Sequence, residues 1–239
     1  MIWSVPKIWE DGDVWILGGG PSVMKQFNIP NSVVQSVMNN TSSPSVYSPY
    51  MSALHDKHVI GINISFMIGD WIDMVFFGDT KFYKMYKEKL AAFPGLKVSC
   101  HVDLKNNPWV KYLAKNGKKS LGISPDPSSI GWNSNSGAAA ISVAANAGAK
   151  RILLLGFDMC KDAGNRKHWH NEYTVFGRQQ IPVRGHRTAR VAPLPFERHL
   201  KGFPTIARDA KARGIEIINV CPTSAITVFP KCDLKDVLK

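Results

Sequence analysis

The sequence predicts an α/β fold: a Rossmann-like, mostly parallel sheet with helices on both faces and a loop-rich lid, built from a single nucleotide-binding domain over residues 1–239. Three observations predict it. The strands read as uninterrupted apolar runs, such as Val14-Trp15-Ile16-Leu17 and Ile152-Leu153-Leu154-Leu155, the pattern of strands buried on both faces. Helical segments alternate with them. Five strands end in a polar or glycine cluster, at Gly18–Ser22, Asn63, Gly78–Asp79, Gly156–Asp158 and Thr223–Ser224. In an open α/β sheet these carboxyl ends share one edge, and ligands bind there.

The first strand runs straight into Gly18-Gly19-Gly20-Pro21-Ser22. Glycines allow close backbone approach, and Pro-Ser suits the start of a helix whose free amides attract phosphate. A triple glycine serves an ordinary strand–turn equally well. A helix is expected from Ser22 to Phe27, then a surface loop from Asn39 to Pro49, rich in Asn, Thr, Ser and Pro. His58–Asn63 and Ile72–Asp79 read as strands. Thr80 can cap a helix over Lys81–Phe93, and Leu96–Cys100 is a further strand. Trp109–Ala114 reads as a short helix inside an irregular lid stretch, 106–132. Residues 138–149 form a helix so alanine-rich that it must pack closely on its neighbours. After the strand at Ile152, a polar segment from Met159 to Pro195 without periodicity reads as a second lid loop. A helix over Pro204–Arg213 and a strand over Glu216–Val220 complete the chain.

A hydrophobic content of 44% with 20% charged residues belongs to a globular protein rather than a disordered one. Apolar runs are too short for a membrane-spanning helix. The first thirteen residues carry Glu10, Asp11 and Asp13 and no apolar stretch, so no secretion signal is read. Cys100, Cys160, Cys221 and Cys232 form no CxxC pair, which suits reduced thiols and a cytoplasmic location (of a host cell, if virus-encoded). The net charge of +12 favours an acidic partner. From Arg178 to Arg213 the bases are Arg178, Arg184, Arg187, Arg190, Arg198, Lys201, Arg208, Lys211 and Arg213, against Glu197 and Asp209 alone.

Gly18-Gly19-Gly20-Pro21-Ser22, Asn63, Ser136-Gly137, Leu155-Gly156-Phe157-Asp158 and Cys221-Pro222-Thr223-Ser224 occur in an order that resembles the bacterial sialyltransferases of glycosyltransferase family 42. The same order resembles the related superfamily of hydroxymethylpterin pyrophosphokinases. The resemblance covers roughly residues 14–229 and implies a GT-A-variant fold. It implies nucleotide contacts at Gly18, Gly19, Gly20, Ser22, Asn63, Ser136, Gly137, Asp158, Thr223 and Ser224. It also implies a histidine general base upstream of the Cys-Pro motif, for which His199 is the nearest match and His186 the second. The implied co-substrate is a nucleotide-sugar donor, with no tightly bound cofactor.

Where the sialyltransferases carry tyrosines that support the leaving phosphate, this chain has Met159, Cys160 and Asn165-Arg166-Lys167-His168-Trp169-His170. Arg166, Lys167, His168 and His170 are candidates to neutralise a leaving diphosphate. His168 and His170, with Asp79 and Asp158 near the same edge, also admit a divalent ion, but a His-x-His pair alone assigns no metal ligand. The arginine tract, interleaved with Trp169, Tyr173 and Phe176 as stacking platforms, suggests DNA or another polyanion as acceptor. The expected function is transfer of a sugar to a hydroxyl, with a modified DNA base as one acceptor. The alternatives are an ATP-dependent diphosphokinase of the pterin type and a non-catalytic nucleic-acid-binding module.

Overall fold

A computed structural model describes residues 2–117, 120–172, 180–181, 190–191 and 195–238. The strands are β1 (Asp13–Leu17), β2 (His58–Ile62), β3 (Met74–Phe77), β4 (Leu96–Ser99), β5 (Lys111–Tyr112), β6 (Ala114–Lys115), β7 (Ser129–Ile130), β8 (Arg151–Leu155), β9 (Gln180–Ile181), β10 (Arg190–Val191) and β11 (Glu216–Asn219). The helices are α1 (Ser22–Gln26), α2 (Asn31–Met38), α3 (Thr80–Ala92), α4 (Ser136–Asn146), α5 (Phe196–Leu200) and α6 (Phe203–Ala212). Seven strands form one sheet in the order β11-β8-β1-β2-β3-β4-β5, every neighbouring pair parallel. The chain builds outward from β1 to β5, then crosses back to β8 on the other side of β1. The order therefore reverses between β1 and β8.

Two apolar layers explain the uninterrupted runs. Val14 and Ile16 of β1, Met74 and Phe76 of β3, and Ile152 and Leu154 of β8 face one layer with α4 and α6. Trp15, Leu17, Val75, Phe77, Leu153 and Leu155 face the other, with α1, α2 and α3. Alternation persists, but both faces are core, so charged residues are confined to the first positions of these strands, Asp13 and Arg151.

Helix α4 lies across β1, β2, β3 and β8, and every residue from Gly137 to Asn146 is buried. Its outer side is covered by the stretch read as the first lid. Ser142 Oγ accepts from the amides of Ser124 and Gly131, and Ile123 and Ile130 are core residues. Arg213 closes the far end of α4, donating to the carbonyl of Ala145 and to Asn146 Oδ1. Small side chains let the helix sit between two packed surfaces.

Two sequence expectations are corrected. Trp109–Ala114 is not a helix: β5 joins the sheet edge beside β4, and β6 pairs with β7. Asn39–Pro49 is not a surface loop throughout, because 3-10 turns run over Pro44–Leu54 and carry Tyr47, Met51 and Leu54 into the core. Within the segment read as the second lid, β9 and β10 pair antiparallel.

Candidate functional site

The reversal between β1 and β8 is where an α/β sheet opens a crevice, and the glycine turn occupies it. The turn is stitched to the β8 end. The Gly18 amide donates to the Leu155 carbonyl (2.7 Å) and the Gly20 amide to the Gly156 carbonyl (2.9 Å). Ser22 donates twice to Asp158, from its amide to Oδ1 (3.0 Å) and from its hydroxyl to Oδ2 (2.8 Å). A Cβ on Gly20 would lie 1.8 Å from Asp158 Oδ2, so only glycine permits this contact. Burial raises the Asp158 carboxyl above its ordinary value, and its bonds to Ser22 act against that rise. The amides of Gly18, Gly20 and Ser22, expected to face phosphate, are thus satisfied within the protein.

On the other side of β1 the pattern changes. Asn63 ends β2 in a left-handed conformation, φ 50°, and its buried Oδ1 has no hydrogen-bond partner among the described residues. Such an atom is costly unless something else pairs with it. Ser136 opens α4, its hydroxyl 3.4 Å from where a Cβ on Gly78 would sit. The amides of Gly137 and Ala138 are capped by Asn135 Oδ1, a role that only its position before the small-residue helix signalled. Asp79, at the end of β3, accepts from the Lys81 amide and caps α3.

The His168-Trp169-His170 segment lies directly on the glycine turn. Trp169 donates from its indole to the Gly18 carbonyl (2.9 Å) and from its amide to the Gly19 carbonyl (3.1 Å). Its own carbonyl accepts from the Tyr47 hydroxyl (3.1 Å). Trp169 is 1% exposed, so it is not a platform for a base; Tyr173 and Phe176 lie outside the described residues. His168 and His170 stack at 5.3 Å, with rings 16° apart. Burial pushes His168 down to about 4, the charges of Lys167 and His199 pushing the same way and a bond to the Gly19 backbone opposing. Burial holds His170 well below its ordinary value. His199, on α5, is pushed down to about 4 by burial and by Arg198. The fold therefore brings together three uncharged imidazoles, able to accept a proton but not to lend positive charge to a leaving phosphate. His186 lies outside the described residues. Among the described residues no group of three or more His, Cys, Asp or Glu is arranged to hold a metal ion.

Other expected residues have structural partners. Arg166 is ion-paired with Asp162 at 2.7 Å. Ser224 donates to the Phe157 carbonyl (2.6 Å) and accepts from the Ile226 amide, tying the C-terminal motif to the β8 end. Thr223 is exposed and lines a cleft of about 1160 Å³ beside α1, with Ser22, Asp158, Cys160 and Arg166. In the basic tract, Arg208 pairs with Asp209 and Arg213 serves α4. Arg178, Arg184 and Arg187 are outside the described residues.

No protein-family model matches the sequence, and no curated protein matches it significantly. Among solved structures the chain is similar to the MAf glycosyltransferase from Magnetospirillum magneticum AMB-1, with 12% identity and a TM-score of 0.55. That match covers 99% of this chain but only 36% of the Magnetospirillum protein. The chain is also similar to the sialyltransferase CstII from Campylobacter jejuni in complex with a substrate analogue, cytidine-5'-monophosphate (13% identity, TM-score 0.48, 92% of this chain and 84% of that one). A second CstII structure, with CMP-3FNeuAc, gives 15% identity and a TM-score of 0.48 over 92% and 86%. At these identities the likeness is one of fold.

Proposed function

We propose that the protein is a glycosyltransferase that takes a sugar from a nucleotide-sugar donor and passes it to a hydroxyl acceptor. The observation that carries the reading is the buried Oδ1 of Asn63, without a partner among the described residues, at the carboxyl edge of the sheet between the glycine turn and Ser136. A ribose hydroxyl or base amine would satisfy it. The Magnetospirillum neighbour is a glycosyltransferase, and the family resemblance of the motifs supports the same assignment.

In this reading Asn63 and Ser136 contact the donor nucleotide, with Gly137 in close backbone approach. Gly18, Gly19, Gly20, Ser22 and Asp158 form the floor beneath it, and Ser224 braces that floor. His199 is the proposed base. As a neutral imidazole at pH 7 it can take the proton from the acceptor hydroxyl as that oxygen bonds to the sugar carbon and the nucleotide leaves with its bonding electrons. Lys167 and Arg198 supply nearby positive charge. A modified base in DNA remains one acceptor class within the proposal, supported by the net charge.

The test is a thermal-shift panel of nucleotides and nucleotide sugars, since a ligand of the native state raises Tm. Asn63→Gly keeps the left-handed backbone while removing the amide, and Ser136→Ala removes the hydroxyl. Each is expected to weaken binding of the best nucleotide by about tenfold, the loss of one or two hydrogen bonds. Unchanged affinity in both variants would remove the site assignment, and absence of turnover of every donor would remove the activity.

A further inference from the structure

The His168 imidazole bonds to the Gly19 backbone, and the chain that carries it and His170 is fastened to the same turn. Neighbouring side chains of a polar segment ordinarily turn toward water, yet here the backbone between them is fastened from three directions. The indole of Trp169 reaches under the turn to the Gly18 carbonyl, and the Trp169 amide meets the Gly19 carbonyl. Tyr47, fully buried in the 3-10 turns after α2, donates to the Trp169 carbonyl and meets its ring edge-on at 5.7 Å. Burial raises the Tyr47 phenol, which stays a donor. Three residues after Trp169, Glu172 accepts from the Tyr86 hydroxyl of α3 at 2.5 Å. The fit on the turn is close, since a Cβ on Gly19 would come within 3.1 Å of His168 Nδ1 and 3.6 Å of His170 Nε2.

We propose that Trp169 is a positioning residue, which clamps the His168–His170 segment to the carbonyls of Gly18 and Gly19 and so fixes both imidazoles over the glycine turn. Tyr47 completes the clamp from within the same apolar layer. The groups that face His168 are Lys167 and His170 on its own segment and His199 from α5, with Gly19 beneath it. Asp158 lies across Gly20 on the far side of the turn. The consequence for catalysis rests on the transferase reading; the clamp itself does not.

The experiment is NMR titration of the imidazole signals in the full chain and in three variants. Trp169→Phe keeps the buried ring but loses the indole donor. Tyr47→Phe loses only the hydroxyl. Trp71→Phe removes a comparable indole bond, to Ser48 Oγ beside Tyr47, but no bond to Trp169, and is the control. With the clamp intact His168 titrates near 4, and in Trp169→Phe it moves toward the ordinary 6.5 as the segment lifts and water reaches the ring. Tyr47→Phe moves it the same way by less, and Trp71→Phe leaves it in place. Identical titration in wild type and Trp169→Phe would overturn the proposal and reduce Trp169 to core filling. If Trp169→Phe does not fold, an unmoved His168 in Tyr47→Phe decides against it equally. Should a donor be turned over, kcat is expected to fall with KM unchanged. Should none be, the titrations still stand or fall alone.

Discussion

The two sides of β1 make opposite use of similar-looking polar residues. Toward β8, the glycine turn, Ser22, Asp158 and Ser224 are satisfied by one another and by the ends of the neighbouring strand. Toward β2 and β3, and among the described residues, Asn63 keeps a buried oxygen without a partner and Ser136 opens the most buried helix. A strand-end motif is thus masonry on one side of β1 and, in the proposed reading, a receptacle on the other. Hydrogen-bond satisfaction, which spacing does not report, separates these motif residues, while Asn219 Oδ1 at the end of β11 is a second buried oxygen without a partner among the described residues.

The sharpest way to break this contrast is Gly20→Ala. The added methyl would meet Asp158 Oδ2 at 1.8 Å and the Gly156 carbonyl at 2.6 Å, and overpacking against backbone is expected to cost about 3 kcal/mol, read from urea denaturation. A small loss would mean that the turn opens freely and belongs with the receptacle. Next comes Asp158. Asp158→Ala orphans the Ser22 amide and hydroxyl and should cost about 2 kcal/mol, whereas Asp158→Asn keeps an acceptor, adds a donor and should stay within about 1 kcal/mol of wild type. An Asn variant as damaged as the Ala variant would show that the charge itself is needed.

Acid should weaken the imidazole cluster above the turn. His168 and His199 sit near 4 in the folded chain against an ordinary 6.5. The unfolded chain therefore binds protons first as pH falls, and stability present above 6.5 is lost progressively down to about 4. Denaturation midpoints at about pH 7.5 and about pH 5 check the sign, which would reverse if the rings were charged in the fold. The smallest effect on stability belongs to the open side. Asn63→Gly should leave the denaturation midpoint within about 0.5 kcal/mol of wild type, because it removes no bond within the described residues.

The strands β1, β2, β3 and β8 were legible in the sequence because burial on both faces leaves an apolar run in each, while β4 showed as the alternation of Leu96 and Val98 and β11 as the Ile217-Ile218 pair. Two-residue β5 has no such run, and the aromatic and apolar residues around it read as a helix. The 3-10 turns at Pro44–Leu54 hid behind serine and proline, although they deliver Tyr47 to the core. At the site, the residues of the sheet edge were legible through the convergence of strand ends. Their division into structural and open members was not, because it depends on pairs far apart in sequence, such as Ser22 with Asp158. Trp169 was misread for a related reason: it lies among charged residues, and only the carbonyls of the turn reveal that it points inward.

Helix α4 has a consequence of its own. An amphipathic helix tolerates substitutions in stripes, permissive wherever its face meets water. With Gly137 to Asn146 buried all round, α4 offers no permissive face, so saturation mutagenesis should meet an unbroken band of intolerance there rather than a periodic one. Among the sheet's companions it behaves like the wall of a cast, which admits variation only where its neighbours vary with it.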